Sequence, residues 1–265
     1  MKQWLATFLR PLDKGVRFVL GPGAGLKDLF TLVNLFGGIL SLYFSMKQEI
    51  GYASAAVMLG YLGDVLDGPV ARLTHRQNRF GSELDTIADH VAQCIAPAFV
   101  VFLAFRGMSE ALGLGLAALM VVTGSVRHAR GAAQRFEFDL AWNGMPRPVA
   151  AFLVLAYVNS LARGVLPFGG WVGVGLVVVV SVLNLVSLPF MNHHGRKLQP
   201  AVKAAVWFGF LLAITLAVVE PRFFWDVLLF MIVVYSLASW MPMSAEERRG
   251  FFAAAARWRA HLDQD

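Results

Sequence analysis

Apolar runs long enough to cross a lipid bilayer recur along the whole chain and constrain its fold more than any other feature. A helix needs about 20 mainly apolar residues to cross roughly 30 Å of hydrocarbon. Of the 265 residues, 57% are hydrophobic and only 15% are charged, against about 25% charged in an average soluble domain. Hydropathy and helix breakers predict eight spans, at about 28–46, 50–73, 81–105, 110–131, 148–165, 169–190, 200–219 and 223–241. We therefore predict an all-α integral membrane protein, a polytopic bundle of about eight transmembrane helices.

The distribution of lysine and arginine predicts the orientation of this bundle, because cytoplasmic loops retain positive residues. Of the 23 lysine and arginine residues, only four fall on one side of the predicted spans: Lys47, Arg106, Arg163 and Arg222. This bias places both termini in the cytoplasm and the protein in the cell inner (cytoplasmic) membrane, with a site among the basic loops opening to the cytoplasm. The net charge of +6 then reflects orientation and attraction to anionic lipid. Nucleic-acid binding is the weaker interpretation of the same charge.

The two ends of the chain differ from its apolar body. Residues 1–27 mix aromatic and apolar residues with basic ones, which is typical of an amphipathic helix in the membrane interface; a poorly ordered basic tail is the alternative. Residues 242–265 carry apolar residues at helical spacing among charges, which indicates a cytoplasmic amphipathic tail on the membrane surface or against a partner helix. Residues 28–241 form the predicted transmembrane domain. The single cysteine, Cys94, excludes an intramolecular disulfide.

Four aspartates interrupt two of the apolar segments: Asp64, Asp67, Asp85 and Asp89. A carboxylate at membrane depth costs at least a few kcal/mol, and one that persists there usually faces a cavity, a partner or an ion. The spacings of three and four residues place the first two on one helical face and the last two on one face of the next helix. Because a short loop joins these helices, we expect the four carboxylates to converge near the cytoplasmic face.

Small residues and one arginine share the two faces. Gly68 and Ala71 accompany the first aspartate pair at helical spacing, Gly81 precedes the second pair, and Arg72 completes the first face. Glycine and alanine leave room for a phosphate to approach the backbone, and arginine supplies a bidentate cation for it. These residues predict a phosphate site beside the carboxylates.

Converging carboxylates repel each other unless a cation neutralises them. Ligation by oxygen alone favours Mg²⁺ or Mn²⁺, whereas zinc or copper would require His or Cys ligands. Four carboxylates offer enough ligands for one or two ions, and two ions roughly 3.5–4 Å apart stabilise both sides of a phosphoryl displacement. The pattern therefore indicates a metal-dependent phosphotransferase.

Two other interpretations of the aspartates stay open. A cation transporter or channel also carries membrane carboxylates, although an ion path gains nothing from Arg72 inside the cluster. The carboxylates could also form simple salt bridges with Arg72, Arg76 and Arg79, which would explain some of them.

The complete pattern resembles the signature of the CDP-alcohol phosphotransferases. Every fixed position of that signature is matched by Asp64-x-x-Asp67-Gly68-x-x-Ala71-Arg72, then eight residues, then Gly81-x-x-x-Asp85-x-x-x-Asp89. The resemblance implies a core of six transmembrane helices, a homodimer, a CDP-linked donor substrate, and CMP and a phosphodiester as products. It also implies that the aspartates lie on the metals and that the fourth, Asp89, is the general base.

Other stretches resemble one branch of that family, the bacterial CDP-diacylglycerol–serine O-phosphatidyltransferases. These stretches are TLVNLFGGILSLYFS, GSELDTIADHVAQCIAPA, NGMPRPVAA and MNHHGRK. The resemblance covers about residues 26–241 and implies CDP-diacylglycerol as donor and L-serine as acceptor. The branch usually carries an Arg-x-Ala-Arg-Phe-Asn-like stretch, where this chain has Arg127-His128-Ala129-Arg130-Gly131-Ala132. Glycerol 3-phosphate, inositol phosphate or another amino alcohol is therefore the alternative acceptor.

The resemblance also suggests residues that bind the two substrates. Arg127, Arg130 and Arg147 are candidates for the carboxylate or phosphate of the acceptor, and their equal alternative is a purely topological role. Asn34 is a candidate for the cytidine or a phosphate, with a helix–helix hydrogen bond as the equal alternative. The candidates for binding the CDP-lipid are thus Gly68, Ala71, Arg72, Gly81 and Asn34.

Overall fold

The computed structural model describes residues 2–21, 24–74, 79–192, 208–209, 211–212, 215–216, 218–241 and 243–262. Side chains are described for these residues except at positions 2–10, 67–69, 71–74 and 222. The described residues are mostly helical. They divide into two compact units, Met1–Leu103 and Ala104–Asp265.

The first unit starts with α1 (Lys2–Leu20), α2 (Leu26–Met46) and α3 (Ile50–Thr74). The latter two correspond within a few residues to the first two predicted spans. They pack closely because glycines lie in their interface: a Cβ built on Gly37 would lie 2.5 Å from the Gly60 Cα, and one built on Gly60 would lie 2.8 Å from the Asn34 carbonyl oxygen. Small residues permit such close helix packing in membranes.

Asp13 connects α1 to the beginning of α2. Its carboxylate accepts a hydrogen bond from the Leu26 N–H at 2.9 Å and pairs with Arg17 at 2.6 Å. The first N–H groups of a helix have no partner within the helix, so this carboxylate satisfies one of them. Phe18 and Val19 on α1 are exposed, which suits an interfacial helix; that location of residues 1–27 stays a prediction.

The long helical segment that follows α3 changes its helical type in the middle. It consists of α4 (Arg79–His90), a π-helical turn (Val91–Ile95) and α5 (Ala96–Phe105). Pro97 lies two residues after the turn. It has no N–H for the carbonyl of Gln93, and in a regular α-helix its ring would clash with that carbonyl. The wider π-helical turn lies where this conflict would occur.

Six helices of the second unit are described from end to end. They are α6 (Glu110–Ala133), α7 (Arg147–Asn159), α8 (Ala162–Val165), α9 (Gly169–Leu185), α10 (Pro221–Ala238) and α11 (Ala245–Leu262). Helix α7 lies deepest in this unit, because every side chain from Ala150 to Val158 is buried. The Tyr157 hydroxyl donates to the Gly169 carbonyl at 2.7 Å and ties α7 to the beginning of α9.

A short antiparallel sheet adds to the predicted all-α fold. Strand β1 (Ala141–Asn143) pairs with β2 (Pro189–Met191), and Trp142 lies opposite Phe190. Each strand has three residues and lies in a connection, the first after α6 and the second after α9. So short a strand has no detectable alternation of polar and apolar residues, which is why its sequence does not reveal it.

Helix α11 packs against its own chain. Phe251 and Ala255 are buried in a cluster with Ala141 and Met243, and Phe136 and Phe138 pack against it. The Trp258 indole N–H donates to the Gln134 carbonyl at 2.7 Å. The apolar face of the predicted C-terminal amphipathic tail is thus covered within the second unit. Its location on the membrane surface stays a prediction.

Within the described residues, three helical segments are long and apolar enough to cross a membrane: Leu26–Met46, Arg79–Phe105 and Glu110–Ala133. Four shorter apolar helices lie at the other described spans: Ile50–Leu66, Arg147–Asn159, Gly169–Leu185 and Phe223–Ala238. The predicted span at 200–219 lies largely outside the described residues. The count of eight transmembrane helices and the cytoplasmic location of the termini therefore stay predictions.

Candidate metal and phosphate site

Three of the four predicted aspartates meet in the first unit. Asp64 lies on α3, and Asp85 and Asp89 lie on α4. Each offers one carboxylate oxygen, and these three oxygens all lie within 4.8 Å of one another. All three residues are half-buried. The i, i+4 spacing on α4 and the packing of α3 and α4 against α2 thus bring together side chains that are 25 positions apart in sequence.

The donor set of this cluster fits a divalent metal ion. It consists of carboxylate oxygens close enough together for one ion to contact several of them. Mg²⁺ and Mn²⁺ favour such hard oxygen ligands, whereas Zn²⁺ favours nitrogen and sulfur. The residues present therefore suit the kind of metal that the aspartate pattern predicts.

The other predicted residues of the first face lie at the C-terminal end of α3. Asp67 lies one helical turn after Asp64, and Gly68, Ala71 and Arg72 follow it before α3 ends at Thr74. The side chains of these four residues lie outside the described part of the structure. Their assignment as a metal ligand and phosphate-binding residues stays a prediction.

Two neutral amides contact the carboxylate cluster. Asn34 on α2 donates its Nδ2–H to Asp89 Oδ1 at 3.0 Å. Gln93 in the π-helical turn donates its Nε2–H to the same oxygen at 2.6 Å and also lies 3.4 Å from Asp64 Oδ2. Asn34 is fully buried and Gln93 is 5% exposed. The described contact of Asn34 is thus with Asp89.

Gln93 was missed by the sequence analysis. It lies four residues after Asp89, which continues the spacing of Gly81, Asp85 and Asp89. A glutamine within an apolar segment on that face is the signal that could have identified it. Because the family signature ends at Asp89, the signal is easily overlooked.

Gly81 lies against an ion pair at the beginning of α2. A Cβ built on Gly81 would collide with the Lys27 ammonium and with the Asp28 carboxylate. Lys27 Nζ lies 2.9 Å from Asp28 Oδ1, and Asp28 Oδ2 accepts a hydrogen bond from the Gly25 N–H at 2.7 Å. Glycine at position 81 therefore leaves room for two charged side chains that the sequence analysis did not consider.

The three candidate acceptor arginines lie in the second unit. Arg127 Nη1 donates to the Asn143 carbonyl at 2.6 Å and to the Asn184 carbonyl at 3.3 Å. Arg130 Nη1 donates to the Leu185 carbonyl at 3.3 Å. Both guanidinium groups therefore bind carbonyls near the C-terminal end of α9, where positive charge is favourable. Arg147 begins α7 directly after Pro146.

Helices suited to a membrane and a carboxylate cluster that fits divalent cations define the general class: a membrane protein with a divalent-metal site. Comparison with known proteins gives the family. The model of the CDP-alcohol phosphatidyltransferase family matches residues 26–181, which is more than half of the chain. The chain belongs to the CDP-alcohol phosphatidyltransferase family.

Two relatives compared by sequence agree with this assignment. A CDP-diacylglycerol–serine O-phosphatidyltransferase of Helicobacter pylori is 27% identical over 217 residues, which cover 81% of this chain and 90% of that protein. An archaetidylserine synthase of Methanothermobacter thermautotrophicus is 31% identical over 185 residues, which cover 64% of this chain and 71% of that protein. Among solved structures, the phosphatidylinositol phosphate synthase of Mycobacterium tuberculosis with CDP-DAG bound has a TM-score of 0.48 and 19% identity, and covers 71% of this chain and 97% of that chain.

The family assignment confirms the resemblance seen in the signature. The protein is an integral membrane enzyme of phospholipid synthesis, and its family is metal-dependent. This activity excludes the interpretation of the aspartates as part of a cation transporter. It also explains why a cation-binding cluster is needed, because phosphate transfer between charged groups requires neutralisation of the phosphates.

Proposed function

We propose that this enzyme transfers a phosphatidyl group from CDP-diacylglycerol to the hydroxyl of L-serine, giving phosphatidylserine and CMP. The observation that carries this proposal is the cluster of Asp64, Asp85 and Asp89 in a chain of this family. The names of the two relatives described above both contain serine. This agreement supports serine as the acceptor over glycerol 3-phosphate, inositol phosphate or another amino alcohol.

We infer that Asp64, Asp67, Asp85 and Asp89 hold Mg²⁺ or Mn²⁺, with two ions as the expected number. When bound, the metal neutralises the diphosphate of the donor and the charge that develops during transfer. Gly68 and Ala71 leave space for the phosphates beside the carboxylates, Arg72 binds them, and Gly81 leaves room for the Lys27–Asp28 ion pair. The Lys27 ammonium lies beside Gly81 and is paired with the Asp28 carboxylate.

Asp89 acts as the general base in this proposal. Its carboxylate accepts the proton of the serine hydroxyl while the hydroxyl oxygen attacks the β-phosphorus, to which diacylglycerol is bonded. A phosphorus–oxygen bond to serine forms, and the bond from the β-phosphorus to the oxygen bridging the two phosphates breaks. CMP leaves with that bridging oxygen. The proton stays on Asp89 until it passes to solvent.

The proposal also covers the residues that bind the acceptor, the orientation in the membrane and the oligomeric state. Arg127, Arg130 and Arg147 remain the candidates for the serine carboxylate. The excess of positive residues on one side supports an active site that opens to the cytoplasm from the inner membrane. The family resemblance supports a homodimer.

A CMP-release assay with a panel of acceptors tests the proposed reaction. Full-length protein purified in detergent is given CDP-diacylglycerol and Mg²⁺ or Mn²⁺, with L-serine, glycerol 3-phosphate or inositol phosphate. We expect CMP only with L-serine, and none when EDTA removes the metal. CMP release that ignores serine and responds to glycerol 3-phosphate or inositol phosphate would contradict the serine assignment and leave the family assignment intact.

A further inference from the structure

We propose that Gln93, together with Asn34, is a positioning residue that fixes the carboxylate of Asp89 for metal binding and proton transfer. This inference rests on the proposed function of the carboxylate cluster. It assigns a role to two uncharged side chains that touch the cluster and lie outside the aspartate signature.

The two amides converge on a single oxygen of Asp89. Gln93 Nε2 and Asn34 Nδ2 lie 2.6 Å and 3.0 Å from Oδ1 of that carboxylate. A carboxylate oxygen has two lone pairs, so two N–H donors occupy the hydrogen-bonding capacity of Oδ1. The two donors thereby fix the orientation of the whole Asp89 carboxylate.

Gln93 also connects the two aspartate-bearing helices. Its Nε2 lies between Asp89 of α4 and Asp64 of α3, at 2.6 Å and 3.4 Å from their nearest oxygens. An N–H donor shared by two carboxylates reduces their mutual repulsion and keeps them near each other. Residues that orient metal ligands in this manner typically contribute 10- to 100-fold to metal affinity.

The backbone at Gln93 is specialised for this placement. The residue lies in the π-helical turn Val91–Ile95, where the Ala96 N–H bonds to the Val91 carbonyl five residues earlier. Pro97 follows this turn and is incompatible with a regular bond to the Gln93 carbonyl. Single π-helical turns occur frequently at functional sites, because they alter the direction of side chains along a helix. The position of Gln93 in the sequence, its π-helical backbone and its side-chain contacts therefore all support the positioning role.

The experiment compares metal binding with turnover in variants of the full-length protein in detergent. Gln93→Met keeps the side-chain length and removes the donor, and Asn34→Leu does the same at the second position. Ser41→Ala is the matched control: Ser41 is fully buried on α2, and its hydroxyl has no hydrogen-bond partner among the described residues. Mn²⁺ affinity is measured by electron paramagnetic resonance of free Mn²⁺ without substrate, and the CMP-release assay provides kcat and KM.

We expect Gln93→Met to weaken Mn²⁺ binding 10- to 100-fold and to lower kcat, with an unchanged KM for CDP-diacylglycerol. Asn34→Leu should act in the same direction, and Ser41→Ala should change neither quantity. If Gln93→Met does not fold, Gln93→Asn tests the positioning role instead. This variant keeps the amide but moves it about 1.5 Å away from the Asp89 carboxylate. Loss of Mn²⁺ affinity is expected there too.

Three results have distinct meanings. Unchanged Mn²⁺ affinity and kcat in the folded Gln93 variants would overturn the positioning role. A raised KM for CDP-diacylglycerol with normal kcat and normal Mn²⁺ affinity would also overturn it, because the amides would then bind the nucleotide. If the unaltered protein releases no CMP with serine but the variants still lose Mn²⁺ affinity, the proposed acceptor is wrong and the positioning role stands.

Discussion

The carboxylate cluster of the first unit and the arginines of the second unit are held in opposite ways. Asp64, Asp85 and Asp89 bring three like charges within 4.8 Å, and neutral amides donate to them. Arg127 and Arg130 instead bind backbone carbonyls of their own unit. Like charges at such distances repel and are well compensated by a bound cation. The guanidinium groups already have acceptors supplied by the protein.

This difference distinguishes residues that bind a ligand from residues that stabilise the fold. The carboxylate cluster has the composition of a site that receives a ligand. The contacts of Arg127 join α6 to the end of α9 and to β1, so this residue has a structural role whatever else it binds. Arg147, the third candidate acceptor arginine, begins α7. The predictions below test this division, beginning with the largest expected effect.

Replacement of the proposed general base should affect turnover most. Asp89→Asn keeps the shape of the side chain but removes the group that accepts the serine proton. General-base catalysis typically contributes 10²- to 10⁴-fold, so we expect kcat for CMP release to fall by about that factor. CDP binding, measured by calorimetry at a Mn²⁺ concentration high enough to offset the loss of one ligand, should persist because the other aspartates remain.

The same substitution in the second unit provides the control. Asp226 accepts hydrogen bonds from the Leu161 and Ala162 N–H groups at 3.2 Å and 3.3 Å. Asp226→Asn loses one of these two acceptors but lies outside the carboxylate cluster, so its CMP release should match that of the unaltered protein. Substantial activity in Asp89→Asn would refute the assignment of Asp89 as the base.

The aspartate cluster could be predicted because its residues are close in sequence. Asp85 and Asp89 are spaced by four residues, and a short connection joins their helix to that of Asp64. Helical periodicity and chain connectivity therefore suffice to bring these side chains together. The spans at α2, α3 and α6 were predictable for a similar reason, since long apolar runs leave few alternatives.

The contacts that surround the cluster could not be predicted in this way. Asn34 reaches Asp89 from 55 positions away, and Lys27 and Asp28 reach Gly81 from a different helix. Such pairs depend on how the helices pack against each other. The local periodicity of a sequence does not determine that packing. The π-helical turn at Gln93 arises from a proline conflict within a helix, and the β1–β2 pairing from two connections far apart in sequence.

Filling the space at Gly81 should have an intermediate effect. In Gly81→Ala the new methyl group would collide with Lys27 and Asp28. The end of the lysine side chain can move, but the Asp28 carboxylate is fully buried and is held by the Gly25 N–H. The first turn of α4 must therefore shift. Because a displacement of about 1 Å can cost 10²-fold in rate, we expect CMP release to fall roughly ten- to hundredfold.

Gly115→Ala is the matched control for this substitution. Gly115 lies on α6, and a Cβ built there meets no atom within 4 Å. Alanine is the better helix former by about 1 kcal/mol, so this variant should keep its activity and unfold at an equal or higher temperature. Normal activity in Gly81→Ala would show that the space beside the ion pair is not required.

The smallest expected effects separate the two arginine roles. Arg127→Met removes hydrogen bonds from a charged donor to two carbonyls, each contributing about 1.5–3 kcal/mol, so the unfolding temperature in detergent should fall. Arg147→Met should raise the KM for L-serine about tenfold, which corresponds to about 1.4 kcal/mol of binding. The two measurements are thermal unfolding and the CMP-release assay at varied serine.

The opposite pattern would reverse the assignment. A raised KM for serine in Arg127→Met without loss of stability would mean that its carbonyl contacts give way to the substrate. A loss of stability in Arg147→Met with normal KM would place that residue among the structural arginines. Because both variants exchange the same guanidinium for the same thioether, any difference between them reports the surroundings of the two residues. The comparison therefore determines which positive charge in the second unit is available to a serine carboxylate.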